Sequence, residues 1–246
     1  MDDPWSTFDA MYMLTTNDPG GKARSSATIR HLPFDSSRLT LFEVPKGPHA
    51  DCTSTTLPQN IHFARIAQDA LDQGCNLILI LENDVRWAPG ANITPVVEWM
   101  HANKQSFDLF YLGHIPCGPV IPVAPHVIRT FMPQHIHAVC YNRSALEIIA
   151  AKHDEWCRDA SHDIDHALII DREMWRLSKY AAYPPIAYQE TGANVKIYQT
   201  PYKVFRALGL GELTLDFDRF LTTCWLVLLA IFCCVLLSWI CKYVTG

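Results

Sequence analysis

The sequence predicts an α/β fold, a mostly parallel sheet flanked by helices, followed by one apolar C-terminal helix. Three observations carry this. Short apolar runs alternate with segments of helical spacing along the body. Asn76–Leu81 (NLILIL) is apolar after its first residue, as a strand buried on both faces must be. Leu221–Cys241 contains no charge and would form a helix about 31 Å long, enough to cross a hydrocarbon core of about 30 Å. The 246 residues suffice for one sizeable domain. A net charge of −5 without a lysine-rich stripe excludes nucleic acid as a partner class.

Ala10–Leu14 reads as the first strand, followed by a turn over Asn17–Gly21 and a helix over Lys22–His31. Leu39–Val44 is a second strand, and Pro45–Pro58 a long loop. Asn60–Gln73 is helical, because Ile61, Ala64, Ala67 and Leu71 recur at helix spacing and Gly74 closes it. After the central strand, Thr94 is placed to cap a helix with Pro95 in its first turn, ending before Ser106. Leu109–Leu112 is a strand, Gly113–Pro125 a proline-rich loop, and His137–Tyr141 a strand entering a helix over Ser144–Lys152. Asp163–Ser178 is the last helix of the body.

The expected domain spans residues 1–204, with a juxtamembrane lead-in over 205–220 and an anchor over 221–241. Arg219 and Lys242 bracket the anchor, and Trp225, Trp239 and Tyr243 fall near its interfaces. The missing signal peptide and the bias of Lys203, Arg206 and Arg219 predict a cytoplasmic domain held by a single C-terminal pass. Cys52, Cys75, Cys117, Cys140 and Cys157 show no metal or disulfide spacing and read as reduced thiols. A lumenal domain is the alternative, and would expose the sequons at Asn92 and Asn142.

The chemistry concentrates in Leu77–Trp87 (LILILENDVRW). A buried strand stops at Glu82-Asn83-Asp84, which places carboxylates at the carboxyl end of the sheet, where open α/β folds bind ligands. Such acids need a compensating cation, and a divalent metal bridging to a diphosphate supplies one with only one or two protein carboxylates. A solvated acidic turn is the competing reading.

Glu82-Asn83-Asp84-Val85 resembles the Glu-Asp-Asp-Val run of family 25 glycosyltransferases, which include lipooligosaccharide and collagen galactosyltransferases. Asn83 replaces the middle acid. Phe107-Asp108-Leu109-Phe110-Tyr111-Leu112-Gly113 is similar to that family's Trp-Asp-x-x-Tyr-Leu-Gly strand. His137–Ala145 resembles its His-Ala-Tyr-x-x-Ser-Arg-x-x-Ala segment, and Tyr183-Pro184-Pro185 its turn before a Gln, here Gln189. His62 and Asp165 match single positions of two further segments. The likeness runs over roughly Met11–Gln189.

The resemblance implies a GT-A-like, Rossmann-like fold and transfer of a hexose from a UDP-sugar to an acceptor hydroxyl on a glycan, lipid or protein, with manganese and inversion at C1. It implies Asp84, Glu82 and His137 as metal candidates and Asp165 as the base, with Asp84 also placed at the reaction. Lys22, Arg24, His62, Asn83 and Gln189 are then donor-binding candidates, with Arg30 in the same basic region. For individual residues a plainer role competes: helix capping for Asp163 and Asp165, a satisfied structural histidine for His137 and His135, a solvated helix face for Lys22 and Arg24. Asp108 reads as a residue that steadies the end of the sheet. A metal-dependent phosphohydrolase would need ligands on several strands, and none assemble. A membrane-tethered, inactive binding module descended from a transferase is the other class, with Asn83 as the mark of lost activity.

Overall fold

The computed structural model describes residues 3–44, 59–88, 90, 92–116, 120–131, 133–158 and 172–189, with two short stretches, 228–229 and 231–234. Ten strands are present among them: β1 (Ala10–Thr16), β2 (Leu39–Val44), β3 (Leu77–Glu82), β4 (Val85–Trp87), β5 (Leu109–Pro116), β6 (Val120–Ala124), β7 (Val127–Thr130), β8 (Pro133–Asn142), β9 (Lys179–Ala182) and β10 (Ala187–Gln189). The helices are α1 (Pro19–Ile29), α2 (Gln59–Asp72), α3 (Thr94–Ala102), α4 (Arg143–Ala151), α5 (His153–Arg158) and α6 (Arg172–Trp175).

Eight strands form one mixed sheet in the order β2-β1-β3-β8-β5-β9-β7-β6. The parallel pairs β1/β2, β1/β3 and β5/β9 together with the antiparallel pairs give β1, β2, β3, β5, β6 and β9 one direction, and β7 and β8 the other. β8 is inserted between β3 and β5 and reverses the chain at the centre. As a result its amino half lies among the carboxyl ends of its neighbours.

Ile78, Leu79, Ile80 and Leu81 of β3 are all buried, alternately serving the two faces. At about 1.5–3 kcal/mol for each buried aliphatic side chain, they fix the central strand. One face packs on α2, α4 and α5 through Ile61, Ala64, Ile66, Leu146, Ile149 and Trp156. The other packs on α3 and the N-terminal 3-10 turn (Pro4–Thr7) through Val96, Val97, Met100 and Trp5.

Several sequence expectations shift. The loop expected over Gly113–Pro125 instead holds the end of β5 and all of β6. Pro122 is tolerated there because β6 is an edge strand, where a missing N–H costs little. Thr94 does not cap α3 with its side chain; its own N–H donates to Oδ1 of Asn92, and Ile93 occupies the cap position. α1 starts earlier, at Pro19, because Asp18 caps it by accepting from the N–H groups of Gly20 and Gly21. Cys75 and Cys140 are free thiols, but Cys157 is disulfide-bonded, which corrects the reading of a fully reduced set.

Of the expected helix Asp163–Ser178, only Arg172–Trp175 is described as helix. Asp163 and Asp165 lie outside the described residues, as do the lead-in 205–220 and most of the expected anchor Leu221–Cys241. Among the described residues no helix is long and apolar enough to cross a membrane.

Candidate functional site

Glu82, Asn83 and Asp84 sit where β3 leaves the sheet, each partly open to solvent, with Oδ1 of Asp84 buried. The chain then turns into β4, which leaves the large sheet and pairs antiparallel with β10: Val85 with Gln189, Arg86 with Tyr188, Trp87 with Ala187. β10 is tied back to β5 by the Ile186 N–H donating to the Leu112 carbonyl at 2.9 Å. The acid turn is therefore flanked by a second, two-stranded ribbon at the carboxyl end of the main sheet.

On its other side the turn is held by α1. The buried face of α1 is Gly21, Ser25 and Thr28, spaced four and three residues apart on one helical stripe. This stripe is small and polar rather than apolar. A Cβ on Gly21 would lie 2.1 Å from Oγ1 of Thr16, so the helix can approach β1 only with glycine there. The Ser25 hydroxyl donates to Oγ1 of Thr15 at 2.5 Å. The Thr28 hydroxyl donates to the carbonyl of Asn83 at 2.6 Å and accepts from Nη1 of Arg86 at 2.8 Å. Nη1 of Arg86 also donates to the Val85 carbonyl at 3.0 Å.

The expected site residues separate into three groups. Glu82, Asn83 and Asp84 are together and partly open. Gln189 joins them through its backbone, paired with Val85 next to Asp84. Lys22 and Arg24 are exposed on α1, and Lys22 forms a surface ion pair with Glu43 at 3.9 Å, a contact worth little in water. The two candidate histidines are both buried. His62 is 1% exposed on α2, its ring set against Phe42. His137 is 4% exposed, with Nε2 3.4 Å from the Ala187 carbonyl beneath β10. Gly113 allows this seat, because a Cβ there would lie 2.2 Å from Nε2 of His137 and 2.3 Å from the Ala187 oxygen. His137 is therefore packed between Gly113 and the Ala187 carbonyl.

Arg86 and Thr28 escaped the sequence reading. The alternation of Asp84 and Arg86 into a strand was the available signal for Arg86; nothing local marked Thr28. His114, next to Gly113 on β5, is a further buried group. Neither ring nitrogen has a hydrogen-bond partner among the described residues, and burial pushes its pKa down from 6.5 to about 3, so it is neutral.

Oxygen donors one residue apart at a strand end fit the way Mg²⁺ or Mn²⁺ is held beside a diphosphate, where phosphate and water complete the shell. Among the described residues no group of three or more His, Cys, Asp or Glu could hold a metal ion alone. Glu82, Asp84 and His137 therefore do not form a three-residue cage.

An open groove of about 650 Å³ lies at the opposite end of the sheet, over α4 and α6. Its acids are engaged: Glu147 with Arg143, Glu173 with Lys152, and Asp108 with Ser144 and Ser178. Despite its size it gathers no reactive set among the described residues.

No family model and no curated protein matches the chain. Solved structures give looser likenesses. A glycosyltransferase involved in the glycosylation of the major capsid of PBCV-1 is similar at 15% identity over 75% of this chain and 94% of that one, with a TM-score of 0.45. A197 from STIV is similar at 11% identity over 74% and 86%, with a TM-score of 0.46. Mannose-1-phosphate geranyltransferase from Thermus thermophilus is similar at 11% identity over 70% and 72%, with a TM-score of 0.40. Likeness of this degree transfers no activity, substrate or residue role.

Proposed function

We propose that this chain is a nucleotide-sugar-dependent glycosyltransferase, moving a hexose from a UDP-sugar to an acceptor hydroxyl. The observation that carries the reading is the partly open Glu82-Asn83-Asp84 turn at the carboxyl end of β3, fixed between α1 and the β4/β10 ribbon. Asp84, with Glu82 beside it, would hold a divalent cation, manganese by the family resemblance, against the donor diphosphate. That ion supplies Lewis-acid stabilisation of charge on the leaving group.

The acceptor oxygen bonds to C1 of the sugar as the bond from C1 to the phosphate oxygen breaks. The electron pair leaves with the nucleoside diphosphate, and the acceptor proton passes to a base, assigned by resemblance to Asp165. Lys22 and Arg24, on the exposed side of α1, would meet the donor electrostatically. The apolar segment Leu221–Cys241 would hold the domain on a membrane; removing it should release the protein to the supernatant, and continued sedimentation with membranes would refute the anchor.

The test of function is UDP-sugar hydrolysis and transfer against manganese concentration in wild type, Asp84→Asn and Asn83→Asp. Asp84→Asn should lose several kcal/mol of transition-state stabilisation while melting as wild type does. Asn83→Asp should keep or raise metal affinity. A second reading, an inactive binding module, is favoured by Asn83 alone; it predicts UDP-sugar binding without turnover in all three proteins. Unchanged turnover in Asp84→Asn at every metal concentration would sink the catalytic role of the turn.

A further inference from the structure

We propose that Thr28 is the positioning residue of the acid turn, acting at a distance from the donor by fixing the Asn83 carbonyl and the Arg86 guanidinium in one hydrogen-bonded junction. The inference rests on the reading of Asp84 given above. Thr28 is fully buried, at 0% exposure, on the last turn of α1. A threonine hydroxyl has one proton to give and lone pairs to receive. Here the proton goes to the Asn83 carbonyl at 2.6 Å, and a lone pair accepts from Nη1 of Arg86 at 2.8 Å. The same nitrogen reaches the Val85 carbonyl at 3.0 Å. One hydroxyl therefore ties together the residue before Asp84 and, through Arg86, the residue after it.

The rest of α1 makes this junction stiff. Gly21 is wedged on Thr16 with no room for a side chain, and Ser25 is bonded to Thr15. The helix cannot slide along β1 without breaking one of these contacts. Its first turn also carries Lys22, and Arg24 follows. α1 thus connects the basic side of the site to the acid turn as one body, with Thr28 as the contact to the turn.

The full-length chain in detergent or bilayer discs is titrated with Mn²⁺ in the presence of UDP, and free Mn²⁺ is followed by its paramagnetic resonance signal. Thr28→Val preserves shape but can neither donate nor accept. Its Mn²⁺ affinity should fall about 10- to 100-fold, as expected when a partner that orients a ligand is lost. Thr28→Ser keeps the hydroxyl and should bind within about twofold of wild type. Melting curves accompany each variant. If Thr28→Val does not fold, Thr28→Ala, which admits water to both stranded partners, takes its place with the same expected loss.

Wild-type affinity in the valine variant, or in the alanine variant that replaces it, overturns the role of Thr28. Equal weakening in valine and serine overturns it too, since the methyl packing rather than the hydroxyl would then matter. The Asp84 reading fails separately, if wild type takes up no Mn²⁺ with UDP or if Asp84→Asn binds it as wild type does.

Discussion

The two ends of the main sheet each hold an aspartate and a buried base, and they treat them in opposite ways. At the amino end of β5, Asp108 accepts from the Ser178 N–H at 2.6 Å and from the Ser144 hydroxyl, joining β9 and α4 to the strand. At the carboxyl end of β3, Asp84 stands in a turn whose anchoring bond is made by the neighbouring Asn83 carbonyl. The first aspartate is a fastening. The second sits in a turn held by a hydrogen bond to its neighbour's carbonyl.

The buried bases differ in the same sense. Lys179, 2% exposed at the amino end of β9, donates to the carbonyls of Met174 and Trp175 at 2.8 and 3.3 Å. Burial lowers its pKa to about 8, with Asp108 opposing that fall, so it stays a cation at neutral pH. His114, at the carboxyl end of β5, has no hydrogen-bond partner among the described residues and stays neutral down to about pH 3. Compensated charge holds one end, and uncompensated burial is tolerated at the other.

Acid should therefore lower stability through the buried base at the carboxyl end. The folded pKa of His114 lies below its unfolded value of 6.5, so the unfolded chain binds the extra proton between these values. Stability from this group is complete above pH 6.5 and is lost progressively as pH falls toward 3, by about 3 kcal/mol at pH 4. Thermal melts from about pH 7 to about pH 4 should show this slope in wild type and a shallower one in His114→Leu. Parallel slopes would remove His114 from the account.

A smaller effect sharpens the contrast between the aspartates. Asp108→Ala strands the Ser178 N–H and the Ser144 hydroxyl and should lower stability by about 1–2 kcal/mol, with turnover per folded molecule unchanged. Asp84→Asn should do the reverse: little change in melting, and turnover lost. If Asp108→Ala lowers turnover while melting as wild type does, the division between fastening and functional ends fails.

Much of this was legible in one dimension. The continuous apolar run of β3, the 3.6-residue spacing of α2 and the fastening role of Asp108 each follow from local pattern, because burial on both faces, helical periodicity and strand-end chemistry leave marks in adjacent residues. The acid turn was legible for the same reason, as carboxylates ending an apolar strand.

What the tertiary structure alone decided is which residues surround that turn. The reversal of β8 between β3 and β5 buries His137, and the pairing of β4 with β10 lays Gln189 beside Val85 and covers that histidine. Thr28 and Arg86 meet across 58 residues of chain, and Thr28 and Asn83 across 55. Such pairs leave no periodic trace, because a single hydroxyl on a helix reads locally as a weak helix former. Its value here is set by the strand register that brings a carbonyl and a guanidinium within 2.8 Å of it. Local pattern determined the strands, the helices and the acids; packing between distant segments decided how the acids are held.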